Sequence, residues 1–254
     1  EMGLDWYLKG VVPSEVDYRW PPESLKAQAI IARTFTLLQL NDRAAQDFDV
    51  TRKWPQLYGG ILAERPTTSR AVDGTRGRVL LYRKQMIPAF YYTVCGGHSE
   101  EVSVVWPKVK HPTLKGVECE WCEWHKHYDW DLSLSESQMQ RVAKRLNLKI
   151  GKIRSFQTSR PNRSGRVETI QIRGEKGTAE ISTFDFRMAV GPNQLRSTRF
   201  NVGGKSGWWI FAGRGWGHGV GLCQAGAAEQ ARYGKTTQEL LSYYYPASEI
   251  GSLD

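Results

Sequence analysis

Three of the four cysteines and four of the five histidines fall between Cys95 and His127. Cys95-Gly96-Gly97-His98 presents a Cys-x2-His pair, and Cys119-Glu120-Trp121-Cys122 presents a Cys-x2-Cys pair further along. Two short knuckles, each offering two soft or borderline ligands, have the ligand count and spacing of a tetrahedral Zn2+ site. Four protein ligands close the coordination shell, so the metal's expected role is structural, pinning the loop 99–118 to the strand before it. His125 and His127 stand in reserve if His98 is not a ligand. The competing reading is a redox pair of Cys119 and Cys122, or a disulfide in an extracytoplasmic protein, with His98 merely polar. Cys223 lies far along the chain and reads as a small buried hydrophobe.

Two other groups could do acid–base or binding chemistry. Glu15 ends the run Val11-Val12-Pro13-Ser14-Glu15, where desolvation by apolar neighbours would raise its pKa toward that of a general acid at neutral pH. A surface glutamate flanking a helix is the other reading. Gly213-Arg214-Gly215-Trp216-Gly217-His218-Gly219-Val220-Gly221 interleaves five glycines with Arg, Trp and His. Such a backbone can take positive φ and approach a ligand closely, and His218 could donate to a sugar or a carboxylate. A tight strand-to-helix connection that packs Trp216 explains the same residues. The loop is not a P-loop, which would end in Gly-Lys-Ser/Thr.

Regular elements must hold these residues in place. Residues 4–12 read as a short amphipathic helix or buried turn stopped by Pro13, leaving Ser14 and Glu15 in a loop. Pro21-Pro22-Glu23 opens a helix through Leu38, with apolar residues at helical spacing. Strands are expected at 78–82 and 86–94 around a polar turn. Ser135 and Gln138 have capping-box spacing ahead of a helix at about 136–146. Alternating apolar residues from Val167 to Ile181 predict a hairpin across Gly174-Glu175-Lys176-Gly177. Two more strands are expected at 198–202 and 208–212, and closing helices at 225–233 and 238–244. Without regular βα alternation the fold class is α+β, mixing helices and antiparallel strands with a zinc-pinned loop. One domain over 1–254 is expected, with a basic α/β subdomain at about 131–200 as an elaboration of it.

Charge narrows the partners. The chain of 254 residues carries a formal +9, but Arg141–Arg214 alone carries +12 and the remainder −3. A regional surplus suits a solvated face, an anionic polymer or a membrane surface. No nucleic-acid-binding motif accompanies it, so nucleic acid is not the expected partner. Ten Trp and eleven Tyr suit sugar faces, single-stranded nucleic acid or a core. The chain opens Glu1-Met2-Gly3 with no basic leader, and a targeting or anchoring segment is expected to be missing from it.

The longer motifs carry a resemblance. Tyr7 through Glu15, Trp20-Pro21, Leu25-Lys26-Ala27-Gln28-Ala29 to Ala32-Arg33-Thr34, Gly96-Gly97, Val105-Trp106, and Gly215 through Gly221 with Gln224 and Gly226-Ala227 occur in order over nearly the whole chain. In this the sequence resembles the stage II sporulation protein D and amidase-enhancer family. The resemblance implies an extracytoplasmic peptidoglycan lytic transglycosylase that cuts the MurNAc-GlcNAc bond, generally in strands stripped of stem peptides, and leaves 1,6-anhydro-MurNAc ends. It places the catalytic acid on Glu15 and implies substrate contacts for Arg33, Tyr91, Trp216, His218 and Gln224; some members hold zinc through Cys and His. Arg33 could also orient Glu15, or form a buried structural ion pair. The chain departs from the family at Val16-Asp17, at Phe35 and at Leu222-Cys223, which leaves open whether Asp17 supplies a second carboxylate and the enzyme a muramidase. The family's second name permits a non-catalytic wall-binding module that enhances a cell-wall amidase. Because a denuded strand exposes lactyl carboxylates, the basic stretch, with Arg160, Arg163 and Arg166 as its test residues, is expected to help select it.

Overall fold

The computed structural model describes residues 2–41, 56–205 and 207–253. Among these residues the helices are α1 (Leu4–Glu15), α2 (Pro22–Asn41), α3 (Pro66–Asp73), α4 (Val102–Val105), α5 (Glu136–Arg145), α6 (Thr183–Val190), α7 (Gln224–Arg232) and α8 (Thr237–Tyr244), joined by thirteen short strands. The three three-stranded sheets are antiparallel throughout, so the class is α+β, as expected. Two compact units divide the chain: Glu1–Tyr91 with Lys110–Lys115 and Gly221–Asp254, and Tyr92–Val109 with Gly116–Val220. The basic segment 131–200 lies wholly within the second.

In the first unit α1 runs straight through Pro13, where the sequence suggested a stop. Proline there removes one N–H in the final turn, and the Ser14 hydroxyl supplies a donor to the Gly10 carbonyl at 2.8 Å. Val16 then turns extended while its N–H still reaches Val12 O at 3.1 Å. Glu15 is therefore the last residue of a helix and not part of a loop. Leu8, Val11 and Val12 from α1 pack with Leu25, Ala29 and Ala32 of α2 and Val72 of α3. The small alanines of α2 allow the close helix contact. Arg83 and Lys84 both take positive φ, 50° and 64°, and close a tight hairpin in which Leu81 faces Met86. Pro88 breaks the expected second strand, leaving Gln85–Met86 and Tyr91–Tyr92. Strand Arg78–Tyr82 pairs on its other edge with Glu249–Ser252.

The second unit packs α5 and α6 against two sheets. One sheet orders the strands Phe200–Lys205, Trp208–Arg214 and Asp129–Ser135; the other orders Ile153–Thr158, Thr169–Gly174 and Gly177–Ser182. The capping box of α5 forms, with the Gln138 N–H on Ser135 Oγ at 3.3 Å and the Ser135 N–H on Gln138 Oε1 at 2.8 Å. Trp130, Leu134, Met139, Val142, Phe186 and Phe211 belong to one core cluster. In Asp129–Ser135, Trp130, Leu132 and Leu134 repeat with the period of a strand, a signal absent from the expected elements.

Candidate functional site

Ending α1 on Glu15 leaves a half-buried carboxylate at the end of the helix. Its Oε1 accepts the backbone N–H of Leu57 at 2.7 Å, a bond spanning 42 residues. Buried Gln56, just before that contact, accepts from Thr36 Oγ1 at 2.7 Å and donates to Ala32 O at 3.2 Å, tying the segment to α2. The Tyr91 hydroxyl is also buried; it falls short of hydrogen-bond geometry with any described group but lies close enough to Glu15 and Gln56 to act on them electrostatically. Burial raises the Glu15 pKa, and the Leu57 N–H and Tyr91 offset only part of that effect. A carboxyl held this way keeps a proton at higher pH than a surface glutamate does. Burial and the adjacent Glu15 charge likewise hold the Tyr91 phenol in its neutral form.

Arg33 is held within the fold. Its side chain, 1% exposed, pairs with Asp5 at 2.9 Å. Its remaining donors reach Val72 O at 3.1 Å, Arg78 O at 3.1 Å and Thr75 Oγ1 at 3.4 Å. This is the buried ion-pair alternative, with Asp5 as partner instead of Glu15, and it leaves the guanidinium committed to the fold. Arg33→Met should destabilise the protein by about 3 kcal/mol, since it strands several buried acceptors; a denaturant melt checks this. Asp17 forms an exposed ion pair with Arg19 at 2.6 Å, and that hydrogen bond keeps its pKa low. Gln224 is buried at the start of α7 and donates to Gln28 Oε1 at 3.3 Å.

In the second unit the glycine-histidine loop is strapped by backbone bonds. Trp216 exchanges both bonds with Val94, at 2.8 and 3.1 Å, and the Glu100 N–H bonds Gly219 O at 2.7 Å. Gly215 has φ +82°, and a Cβ there would meet Val94 O at 2.7 Å and Cys95 O at 2.8 Å. Gly215→Ala is therefore predicted to cost about 2–4 kcal/mol, read from thermal or chemical unfolding. His218 accepts the Val220 N–H on Nδ1 at 3.0 Å, which leaves the ring proton on Nε2. Its ring sits 5.1 Å from Trp106 and 5.5 Å from Tyr92. Trp216 meets His127 edge-on at 4.5 Å and lies under the Arg196 guanidinium at 5.1 Å.

Three cysteines of the second unit converge. The sulfurs of Cys95, Cys119 and Cys122, all buried, lie within 4.8 Å of one another, and none is in a disulfide. The Gly97 N–H bonds Cys95 Sγ at 3.3 Å, which suits a thiolate ligand. His98 is not in the group. On its short strand Gly97 stands opposite Cys119 and His98 opposite Glu118, and the His98 Nδ1 lies 2.5 Å from Ser99 O. Cys223 belongs to the first unit and is buried there. As N-cap of α7 its sulfur accepts the Gly226 N–H at 3.4 Å. His125 and His127 pack against each other at 5.3 Å and also lie outside the group.

One expected surface residue lies in the interior. Arg160 and Arg163 are exposed, but Arg166 is 1% exposed, so it cannot join them on a face that reads glycan charge.

Comparison with known proteins follows the division of the chain. A family model described as "Stage II sporulation protein" matches residues 1–82, and one described as a domain of unknown function matches residues 102–221. The chain is 32% identical over 98% of its length to an uncharacterized protein of Brachyspira hyodysenteriae, of which it covers 67%. It is 29% identical to stage II sporulation protein D of Bacillus amyloliquefaciens, over 99% of this chain and 75% of that protein. Against the amidase enhancer of Bacillus subtilis it is 26% identical over 96% of its own length, and it spans 40% of that protein.

Proposed function

Because the chain belongs to the stage II sporulation protein D and amidase-enhancer family, we propose that it is a peptidoglycan lytic transglycosylase with Glu15 as its acid and base. The relatives support a role connected with the cell wall. The finer reading rests chiefly on one observation: a carboxyl at a helix end whose pKa is raised by burial, beside a neutral buried tyrosine.

Protonated Glu15 gives its proton to the oxygen linking MurNAc to GlcNAc. The bond from that oxygen to C1 breaks as positive charge builds on the ring. The sugar's own C6 hydroxyl then closes on C1 and returns its proton to the Glu15 carboxylate, giving a 1,6-anhydro end without consuming water. One carboxyl serves both transfers, so Asp17, ion-paired to Arg19, has no step to perform. The Leu57 N–H orients one oxygen of Glu15 and leaves the other for the leaving group. Tyr91 and Gln224 are the proposed substrate-binding residues of this unit. His218 and Trp216, one an N–H donor set among aromatic rings and the other an indole face, are the proposed ones of the second.

Cys95, Cys119 and Cys122 have the donor chemistry to hold Zn2+. A closed coordination shell built on these thiolates would supply cross-linking of the fold and no activated water. The proposed setting is extracytoplasmic, with glycan strands as substrate and a cell-wall amidase as a further partner. No helix among the described residues is long and apolar enough to cross a membrane.

Purified glycan strands with and without stem peptides, digested and mass-analysed, test the reading. Anhydro-ended fragments from the denuded strands are the expected result. Intact strands, together with faster cleavage by an added amidase, would instead identify a non-catalytic enhancer.

A further inference from the structure

Burying a guanidinium is costly unless an anion faces it. Arginine ion pairs among the described residues take in Arg19, Arg33, Arg76, Arg154, Arg214 and Arg232; Arg166 and its neighbours Arg187 and Arg199 have none. Arg166 donates through Nη2 to Cys95 O at 2.9 Å, while its buried Nε and Nη1 have no partner. Glu100, the buried acid bonded to the same loop, accepts instead from Asn162 Nδ2 at 2.8 Å and Ser164 Oγ at 2.7 Å. Arg187 is 5% exposed and bonds only carbonyls, those of Arg196 and Pro192. Burial and then the Arg166 charge push its pKa down to about 10. Gly219, at φ +91°, lies so close to the Arg166 guanidinium that a Cβ would stand 2.8 Å from three of its atoms. Arg166 is thus a buried cation bonded to the Cys95 carbonyl, and neither it nor Arg187 or Arg199 makes an ion pair among the described residues.

We propose that Arg166, backed by Arg187 and Arg199, supplies the counter-charge of the cysteine cluster and so strengthens its hold on a divalent metal. Three thiolates around such an ion keep a net negative charge, and a buried cation bonded to the Cys95 carbonyl lowers the cost of that charge. The same side chain lies against the backbone of the glycine-histidine loop, so metal loading and the seating of His218 share one positioning residue. This inference rests on the metal reading above.

The test is a zinc competition with a chromophoric chelator, on protein loaded with one equivalent of Zn2+. Arg166→Met should bind zinc about 10–100-fold more weakly than wild type, with Arg166→Lys in between. Metal-free Arg166→Met should melt no lower than metal-free wild type, because it no longer buries an unpaired cation. Equal zinc affinity, or an equal loss of stability with and without metal, would overturn the proposal and leave Arg166 as a backbone clamp. If Arg166→Met does not fold, half-buried Arg199→Gln should weaken zinc binding severalfold, and no change there overturns the proposal equally. Untreated wild-type protein without metal by elemental analysis would instead overturn the metal reading, and this inference with it.

Discussion

Glu15→Gln protein is expected to lose cleavage of denuded glycan strands by at least about 10²–10⁴-fold and yet to melt at a higher temperature than wild type. Both effects have one cause. Burial raises the folded-state pKa of Glu15, so the folded protein binds this proton more readily than the unfolded chain does. Ionising Glu15 therefore works against the fold. The penalty is complete above the folded-state pKa and disappears as pH falls below the unfolded value. Glutamine keeps the size of the side chain and an oxygen for the Leu57 N–H, but it carries no charge to desolvate and no proton to give. Its stability advantage should be present at neutral pH and should shrink on acidification through that window. A catalytic group that costs stability in this way is the usual trade between activity and stability. A Glu15→Gln protein that melts lower at neutral pH, with unchanged cleavage, would mark Glu15 as a structural helix end.

Removing a metal from the cysteine cluster should be the largest stability effect in the molecule. Chelation, or Cys122→Ser, is expected to lower the melting temperature by on the order of 10 °C or more, since structural zinc contributes roughly 10 kcal/mol to folding in small domains. Re-adding Zn2+ should restore wild type but not Cys122→Ser. Buried thiols packed only as small hydrophobes would behave differently: a chelator would change nothing, and the serine variant would lose about 1–2 kcal/mol from burying a hydroxyl.

Local chemistry was well represented in the sequence. The capping box of Ser135 and Gln138, the helix opened by Pro22 and the hairpin across Gly174–Gly177 each depend on residues within a few positions of one another, and each formed. What could not be read were partners distant along the chain. Asp5 meets Arg33 and Leu57 meets Glu15, and no spacing rule links such pairs. Pro13 misled for a related reason, because a proline in the last turn forfeits only its one bond to the Lys9 carbonyl and the helix continues through it. Net charge misled most. It identified the basic stretch from Arg141 to Arg214 but could not tell exposed Arg160 and Arg163 from Arg166, which faces inward.

Digestion of denuded glycan strands in heavy-oxygen water tests the central claim most directly. If Glu15 both gives and takes the proton while the C6 hydroxyl displaces the leaving group, wild type should yield anhydro ends carrying no label, and Glu15→Gln should yield none. New reducing ends carrying the heavy oxygen would show that water is the nucleophile, and would contradict this account of Glu15.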